Sequence, residues 1–278
     1  MTSISGRNAA FLEEMGIGPL WVRRHAGSYV PQEQPESEAP SVRSAAPVSH
    51  AAAPVRPADN PHSLAPVLAP AAQGGHNPSA AEVAGMDWAQ LKAAVAGCTK
   101  CNLCLTRKQT VFGVGDEKAE WLFVGEGPGR NEDLQGEPFV GPAGKLLDNM
   151  LLAMGLKRGV NTYIANIVKC RPTDANGRDR PPSPEEAAAC MPYLERQIAL
   201  IRPAVIVALG KTAALSLLQL DPATPVSKLR GTVHRYAGQP LVVTYHPAYL
   251  LRNPVDKRKA WDDLCMAMNL HSGAAPAP

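Results

Sequence analysis

The chain has 278 residues, 45% of them hydrophobic, with 28 Lys and Arg against 25 Asp and Glu for a net charge of +3. That mild basic bias is compatible with phosphate contacts and does not establish them. No apolar run approaches the ~18 residues of a membrane span and the N-terminus has no basic-then-apolar signal pattern, so the expectation is a cytoplasmic, non-membrane protein.

Composition divides the chain. Residues 1–30 form a short N-terminal arm whose stretch Phe11 to Trp21 is amphipathic and ends in a turn, followed by Arg23 and Arg24. Such an arm either docks a protein partner or packs as a short helix on the main domain. Residues 31–85 read as a Pro/Ala-rich disordered linker, since residues 31–80 hold 10 of the 27 prolines and 12 alanines. A segment of that kind cannot bury enough apolar surface to offset the entropy of ordering it. Residues 86–278 are left for one folded domain, with a disordered tail from about residue 272, and this part carries 23 Lys and Arg against 18 Asp and Glu.

Within that domain the expected elements alternate. Helix 87–95 is capped by Asp87 and stops at Gly97, before Cys98. Strand 121–124 opens into Gly125-Glu126-Gly127-Pro128-Gly129, and then come helix 142–155, strand 162–168, helix 184–201, strand 204–209, helix 211–219, strand 241–245 and a last helix from about Asp256 to Leu270. Four short apolar strands separated by helices imply a small parallel sheet covered on both faces, an α/β chain with three layers. In open α/β sheets ligands bind at the carboxyl ends of the strands. The loop after strand 121–124 gathers Glu126, Glu132 and Asp133 there, with Phe139 on the following Gly/Pro-framed turn.

Two nucleotide motifs fail. The dinucleotide fingerprint needs a third glycine where Arg130 stands, and Glu126 would oppose a pyrophosphate. Gly210-Lys211-Thr212 imitates the end of a P-loop, but the leading glycine would fall at Val205, inside a strand.

All six cysteines, at 98, 101, 104, 170, 190 and 265, lie in the folded part. In a reducing compartment such a group favours metal over disulfide. Cys98 and Cys101 have the spacing that lets two thiolates of one turn share a metal. Cys104 makes a rival pair with Cys101, and zinc or an iron-sulfur cluster suits four thiolates equally.

Taken together, GEGPGRNED, GEPFVGPAG, ANIVKCRP, a further lone cysteine and HPAYLLRNP occur in order over Cys98 to His271. In this the chain resembles the iron-sulfur uracil-DNA glycosylases, family four of that superfamily. The resemblance implies a three-layer α/β/α fold, a structural [4Fe-4S] cluster on Cys98, Cys101, Cys170 and Cys190, and uracil-containing DNA as substrate of a monomeric enzyme. The 19-residue connection between Cys170 and Cys190 is longer than the family leads one to expect, through a polar insert from Thr173 to Arg180.

A glycosylase must flip its nucleotide into a pocket and read the base edge. Phe139 is the candidate stacking face, Asn166 the edge reader for uracil O4 and N3–H, and Gly127 part of the binding loop. His246, directly after strand 241–245, is the candidate donor to uracil O2 as the base leaves with negative charge. Glu126 and Glu132 are candidate carboxylates for the oxocarbenium-like sugar or the attacking water, in place of the aspartate that first-family glycosylases carry where Gly127 stands. Leu250 or Leu251 would fill the gap left by the flipped base, and Arg252 would hold a phosphate. No lysine stands in the motifs as a Schiff-base nucleophile, so base removal without strand cleavage is expected. The rival readings are a uracil-DNA-binding module and a polymerase-associated accessory protein. Covalent trapping, which a related branch performs with a histidine in a basic insert, finds no histidine in Asp174 to Arg180.

Overall fold

The computed structural model describes residues 77–273, so the N-terminal arm, most of the linker and the last residues of the tail lie outside the described residues. The fold starts earlier than residue 86. Helix α1, Ala80–Gly85, is closed by a capping box between Ser79 and Glu82 and sinks Val83 completely, although the sequence reading placed these residues in the linker. Its alanines resemble those of the linker, and only the Ser-x-x-Glu spacing marks the helix start.

Helix α2 follows at Trp88–Ala96, capped by Asp87. The sheet is built from β1 (Val114–Gly115), β2 (Trp121–Gly125), β3 (Thr162–Asn166), β4 (Val205–Leu209), β5 (Val233–Tyr236) and β6 (Gln239–Thr244). Their order is β1-β3-β2-β4-β6-β5, with β3, β2, β4 and β6 parallel and the two edge strands antiparallel. The four expected parallel strands are the centre of the sheet, and both edge strands were missed. β5 reads Val-His-Arg-Tyr with half its residues exposed, so no apolar run announces it, and it pairs with β6 across the tight Ala237-Gly238 turn.

Successive side chains of a strand point to opposite faces, and strands buried on both faces are apolar throughout. Leu122, Val124, Ile206, Ala208, Leu241 and Val243 enter one core, against α1, α2, α5 (Pro184–Ile201) and α6 (Lys211–Leu218). Trp121, Phe123, Val205, Val207, Leu209 and Val242 enter the other. There they meet α4 (Pro142–Ala153), α8 (Pro247–Arg252) and α9 (Lys257–His271). Two shorter helices, α3 (Arg130–Gln135) and α7 (Val226–Leu229), complete the described set.

The polar insert is folded. Thr173 and Asp179 form a bridge across a turn, and Arg180 donates to both oxygens of Glu186 at 2.6 and 2.8 Å. Glu186 also completes the capping box with Ser183, so the insert is moored to the first turn of α5.

Gly144, in the first turn of α4, lies against the backbone of Phe139: a Cβ there would sit 1.8 Å from the Phe139 carbonyl oxygen. Backbone cannot yield as a flexible side chain does, so Gly144→Ala is expected to destabilise the fold by at least about 1–3 kcal/mol. Chemical denaturation checks this, and a loss below ~0.5 kcal/mol would show that the α4 packing is looser than described.

Candidate active site and cysteine cavity

The carboxyl ends of β2, β3 and β6 converge on one open pocket of about 450 Å³. Gly127, Glu132, Phe139, Asn166 and His246 line it, together with Asp179 of the insert. Five of the eight residues expected to touch or process the base, or to hold the DNA, therefore line one pocket, while Glu126, Leu250 and Arg252 are not part of the lining.

Gly125 pairs with Asn166 across the β2–β3 ladder. A Cβ on Gly125 would fall 2.5 Å from Asn166 Oδ1 and 2.6 Å from the Phe139 ring, so the Asn166 amide and the aromatic face approach each other only because that side chain is absent. Asn166 is 2% exposed, and its Oδ1 has no hydrogen-bond partner. A buried polar atom left unpaired costs about 1–3 kcal/mol, which marks an acceptor built for something that arrives from outside.

Phe139 has φ of 56°, the left-handed region that a non-glycine residue enters at a cost of about 1–2 kcal/mol. Two side chains hold it there. Glu132 accepts from the backbone N–H groups of Val140 and Gly141, both at 2.9 Å, and from Gly129 at 3.1 Å, tying the aromatic turn to the glycine loop. Arg158 donates to the carbonyls of Pro138 (3.0 Å) and Phe139 (2.8 Å) and pairs with Asp148 at 2.8 Å. Arg158 belongs to no motif, and nothing in its local sequence points to this duty.

His246 is the N-cap of α8, and its Nδ1 accepts from the Ala248 N–H at 3.1 Å. The neutral ring then carries its proton on Nε2. Burial, followed by the nearby Arg252 charge, pushes its pKa down to about 4, against the opposing pull of Glu132. The imidazole stacks against Phe139 with centroids 5.5 Å apart, which fixes the ring plane at the pocket wall.

One expectation, Leu250, needs correction, and the two glutamates have partners that no motif announced. Leu250 is fully buried in the core beneath α8, so it cannot enter a duplex; its neighbour Leu251 is 44% exposed and takes over that candidacy. Glu126 accepts from the Thr212 hydroxyl of α6 at 2.5 Å, burial raises its pKa, and it lies outside the pocket lining. Glu132 already receives three N–H groups and acts as a clamp. Arg252 stands exposed on the last turn of α8, beside the pocket.

A second, much smaller cavity, of about 10 Å³, lies among the cysteines. Cys98, Cys101, Cys170 and Cys190 all line it, and Cys104 and Cys265 do not. No three His, Cys, Asp or Glu side chains among the described residues close tightly enough to hold a single metal ion. Burial raises Cys101, Cys170 (to about 11) and Cys190 (to about 12), so these thiols ionise only with a metal or other positive partner. Donors already aim at the sulfurs: Arg107 Nη1 reaches Cys170 Sγ at 3.2 Å and the Lys169 N–H reaches Cys190 Sγ at 3.3 Å. Four thiols on one cavity, with cationic and N–H donors behind them and no carboxylate in the lining, fit a thiolate-bound metal group.

Residues 112–265 match the family model described as the uracil DNA glycosylase superfamily. The chain belongs to the uracil DNA glycosylase superfamily. It is 49% identical over 166 residues to a type-4 uracil-DNA glycosylase of Archaeoglobus fulgidus, which covers 58% of this chain and 81% of the relative. A type-4 uracil-DNA glycosylase of Thermotoga maritima is 46% identical over 160 residues, 57% of this chain and 80% of the relative. One of Pyrobaculum aerophilum is 41% identical over 187 residues, 65% of this chain and 93% of the relative. The superfamily fold matches the α/β architecture described above. No described helix is long and apolar enough to cross a membrane.

The imidazole provides a test. Because its folded pKa lies below the unfolded value, the folded state gains from neutral His246 above about pH 6.5, and that contribution fades as pH falls toward 4. Nitrogen-15 spectra of labelled histidine are expected to show a neutral, Nε2-protonated ring at pH 6. An imidazolium at that pH would contradict the assignment.

Proposed function

We propose that this chain hydrolyses the N-glycosidic bond of deoxyuridine in DNA, releases uracil and leaves an abasic site, the opening step of base-excision repair. The observation that carries the reading is the unpaired, buried Oδ1 of Asn166 between Gly125 and the Phe139 ring. Uracil presents a donor at N3 and an acceptor at O4, and the Asn166 amide complements that pair while opposing the reversed pattern of cytosine. The similarity to type-4 uracil-DNA glycosylases supports the same substrate.

In this reading the flipped base lies against Phe139, Asn166 holds its edge, and the neutral Nε2–H of His246 donates to O2 as the C1′–N1 bond breaks and charge collects on the leaving base. The neutral imidazole can perform this duty because its Nε2–H hydrogen-bonds the departing anion and keeps its proton. Leu251 fills the vacated stack, and Arg252 holds a backbone phosphate. The motifs hold no amine nucleophile, so the strand stays intact after the base leaves.

Cys98, Cys101, Cys170 and Cys190 would hold a [4Fe-4S] cluster, whose metal–thiolate bonds supply a cross-link and no step of the hydrolysis. That cross-link joins the segment after α2 to the loop that follows β3 and to α5. The same reading has the enzyme acting as a monomer on nucleoid DNA in the cytoplasm, with the arm of residues 1–30 as the docking point for a protein partner.

Asn166→Asp is expected to lose most uracil excision, since an ionised carboxylate faces O4 with no proton to give. Discrimination at a buried hydrogen-bonding site reaches ~10⁴-fold, so the loss is large and a trace of cytosine excision appears at lower pH. Oligonucleotides differing only in U or C, assayed across pH, check this; unchanged uracil excision would remove Asn166 from the base edge. Elemental analysis of purified protein is expected to find iron and sulfide, and Cys170→Ala to lose colour and folding stability together. Stoichiometric zinc without iron would contradict the cluster.

A further inference from the structure

Hydrolysis at this pocket requires a group that serves the sugar: the ring gains positive charge as the base departs, and a water must reach C1′. Two carboxylates line the pocket among the described residues, Glu132 and Asp179. Glu132 is occupied, its two oxygens receiving the N–H groups of Gly129, Val140 and Gly141. Glu126, the third acid of the glycine loop, lies outside the lining and is bound to Thr212.

Asp179 is placed differently. It closes the turn of the insert by its bridge to Thr173, and Arg171 donates to its Oδ1 from Nε at 2.6 Å while Nη2 holds the Gly177 carbonyl at 3.2 Å. The guanidinium fixes the orientation of the carboxylate. Oδ2 faces the glycine loop, 3.7 Å from where a side chain on Gly129 would begin. The Asp179 side chain is 54% exposed, which leaves it open to water and to a substrate entering the pocket. The far end of the insert is anchored by Arg180 on Glu186, so the carboxylate stands on a moored turn.

We propose that Asp179 is the catalytic carboxylate of this enzyme, stabilising the developing sugar cation and receiving the proton of the attacking water. The inference rests on the uracil-excision reading of the pocket. The C1′–N1 bond breaks with its electron pair leaving on uracil, the water oxygen bonds to C1′, and one water proton passes to Asp179 and on to solvent. Uracil takes one proton from solvent on release. One water is consumed, and one uracil and one abasic sugar are formed. The insert, which sets this chain apart from the family pattern it otherwise follows, then supplies the charge that Gly127 cannot.

The test uses the full chain with its metal site intact and a uracil-containing oligonucleotide. Asp179→Asn preserves size and an acceptor for Arg171, and its melting curve is expected to match wild type. Its single-turnover rate is expected to fall on the order of 10²-fold, while affinity for a DNA duplex carrying an abasic-site analogue stays within about threefold. Asp179→Ala is expected to lose as much rate and to regain several-fold in concentrated formate, which a positional role in the turn would not allow. A rate within about threefold of wild type, a loss of rate matched by lost affinity, or no recovery in formate would overturn the proposal. If wild type itself released no uracil, the reading of the pocket would fail first, and that outcome is distinguishable because it precedes any variant.

Discussion

At the carboxyl end of β2, the absence of one side chain decides what the rest of the pocket can be. Asn166 Oδ1 and the Phe139 ring occupy the space that a Cβ on Gly125 would need. A base entering beside them meets a flat aromatic face and a fixed amide at once, and neither can swing aside, because one ends a buried strand and the other sits in a turn clamped on two sides. The cost of the arrangement is visible in the same residues: Phe139 holds a left-handed backbone and Asn166 keeps an unpaired buried oxygen. Strain and unsatisfied polarity of this kind persist where surrounding structure over-determines them. Here Glu132, Arg158 and the β2–β3 ladder do so.

That constraint redistributes the acidic residues. The glycine loop is rich in carboxylates, but the loop must itself be held open, and Glu132 spends its oxygens on three backbone N–H groups to do it. Glu126 ties the loop to α6 through Thr212. The carboxylate proposed to serve the reacting sugar, Asp179, stands instead on the connection between Cys170 and Cys190. The cavity that these cysteines share with Cys98 and Cys101 lies at the root of the same connection, and the metal group proposed there would stiffen the chain that carries both Asn166 and Asp179.

The centre of the sheet was legible because strands buried on both faces are written as unbroken apolar runs, as in Trp121 to Val124 and Val205 to Leu209. Edge strand β5 was not, since Val-His-Arg-Tyr follows no strong pattern and owes its place to pairing with β6. Asn166 and His246 stood out because their chemistry is unusual for their surroundings, an amide in an apolar strand and a histidine before a proline at a strand end, whereas Phe139 rested on the family resemblance; all three line one pocket. Leu250 and Leu251 could not be separated, as neighbours of one type differ only in which side of α8 they face. Arg158 and Asp179 carried no local signal at all. The first acts through a carbonyl 19 residues away in sequence, and the second through a turn whose direction only the folded chain defines.

The central claim is that the pocket removes uracil by hydrolysis and leaves the strand intact. It is tested most directly by incubating the purified protein with an oligonucleotide containing one uracil and dividing the product, half treated with alkali and half not. Scission at the uracil position only in the alkali-treated half, together with free uracil in solution, is the predicted result. An oligonucleotide that stays intact in both halves, or a strand cut without alkali, would contradict the account.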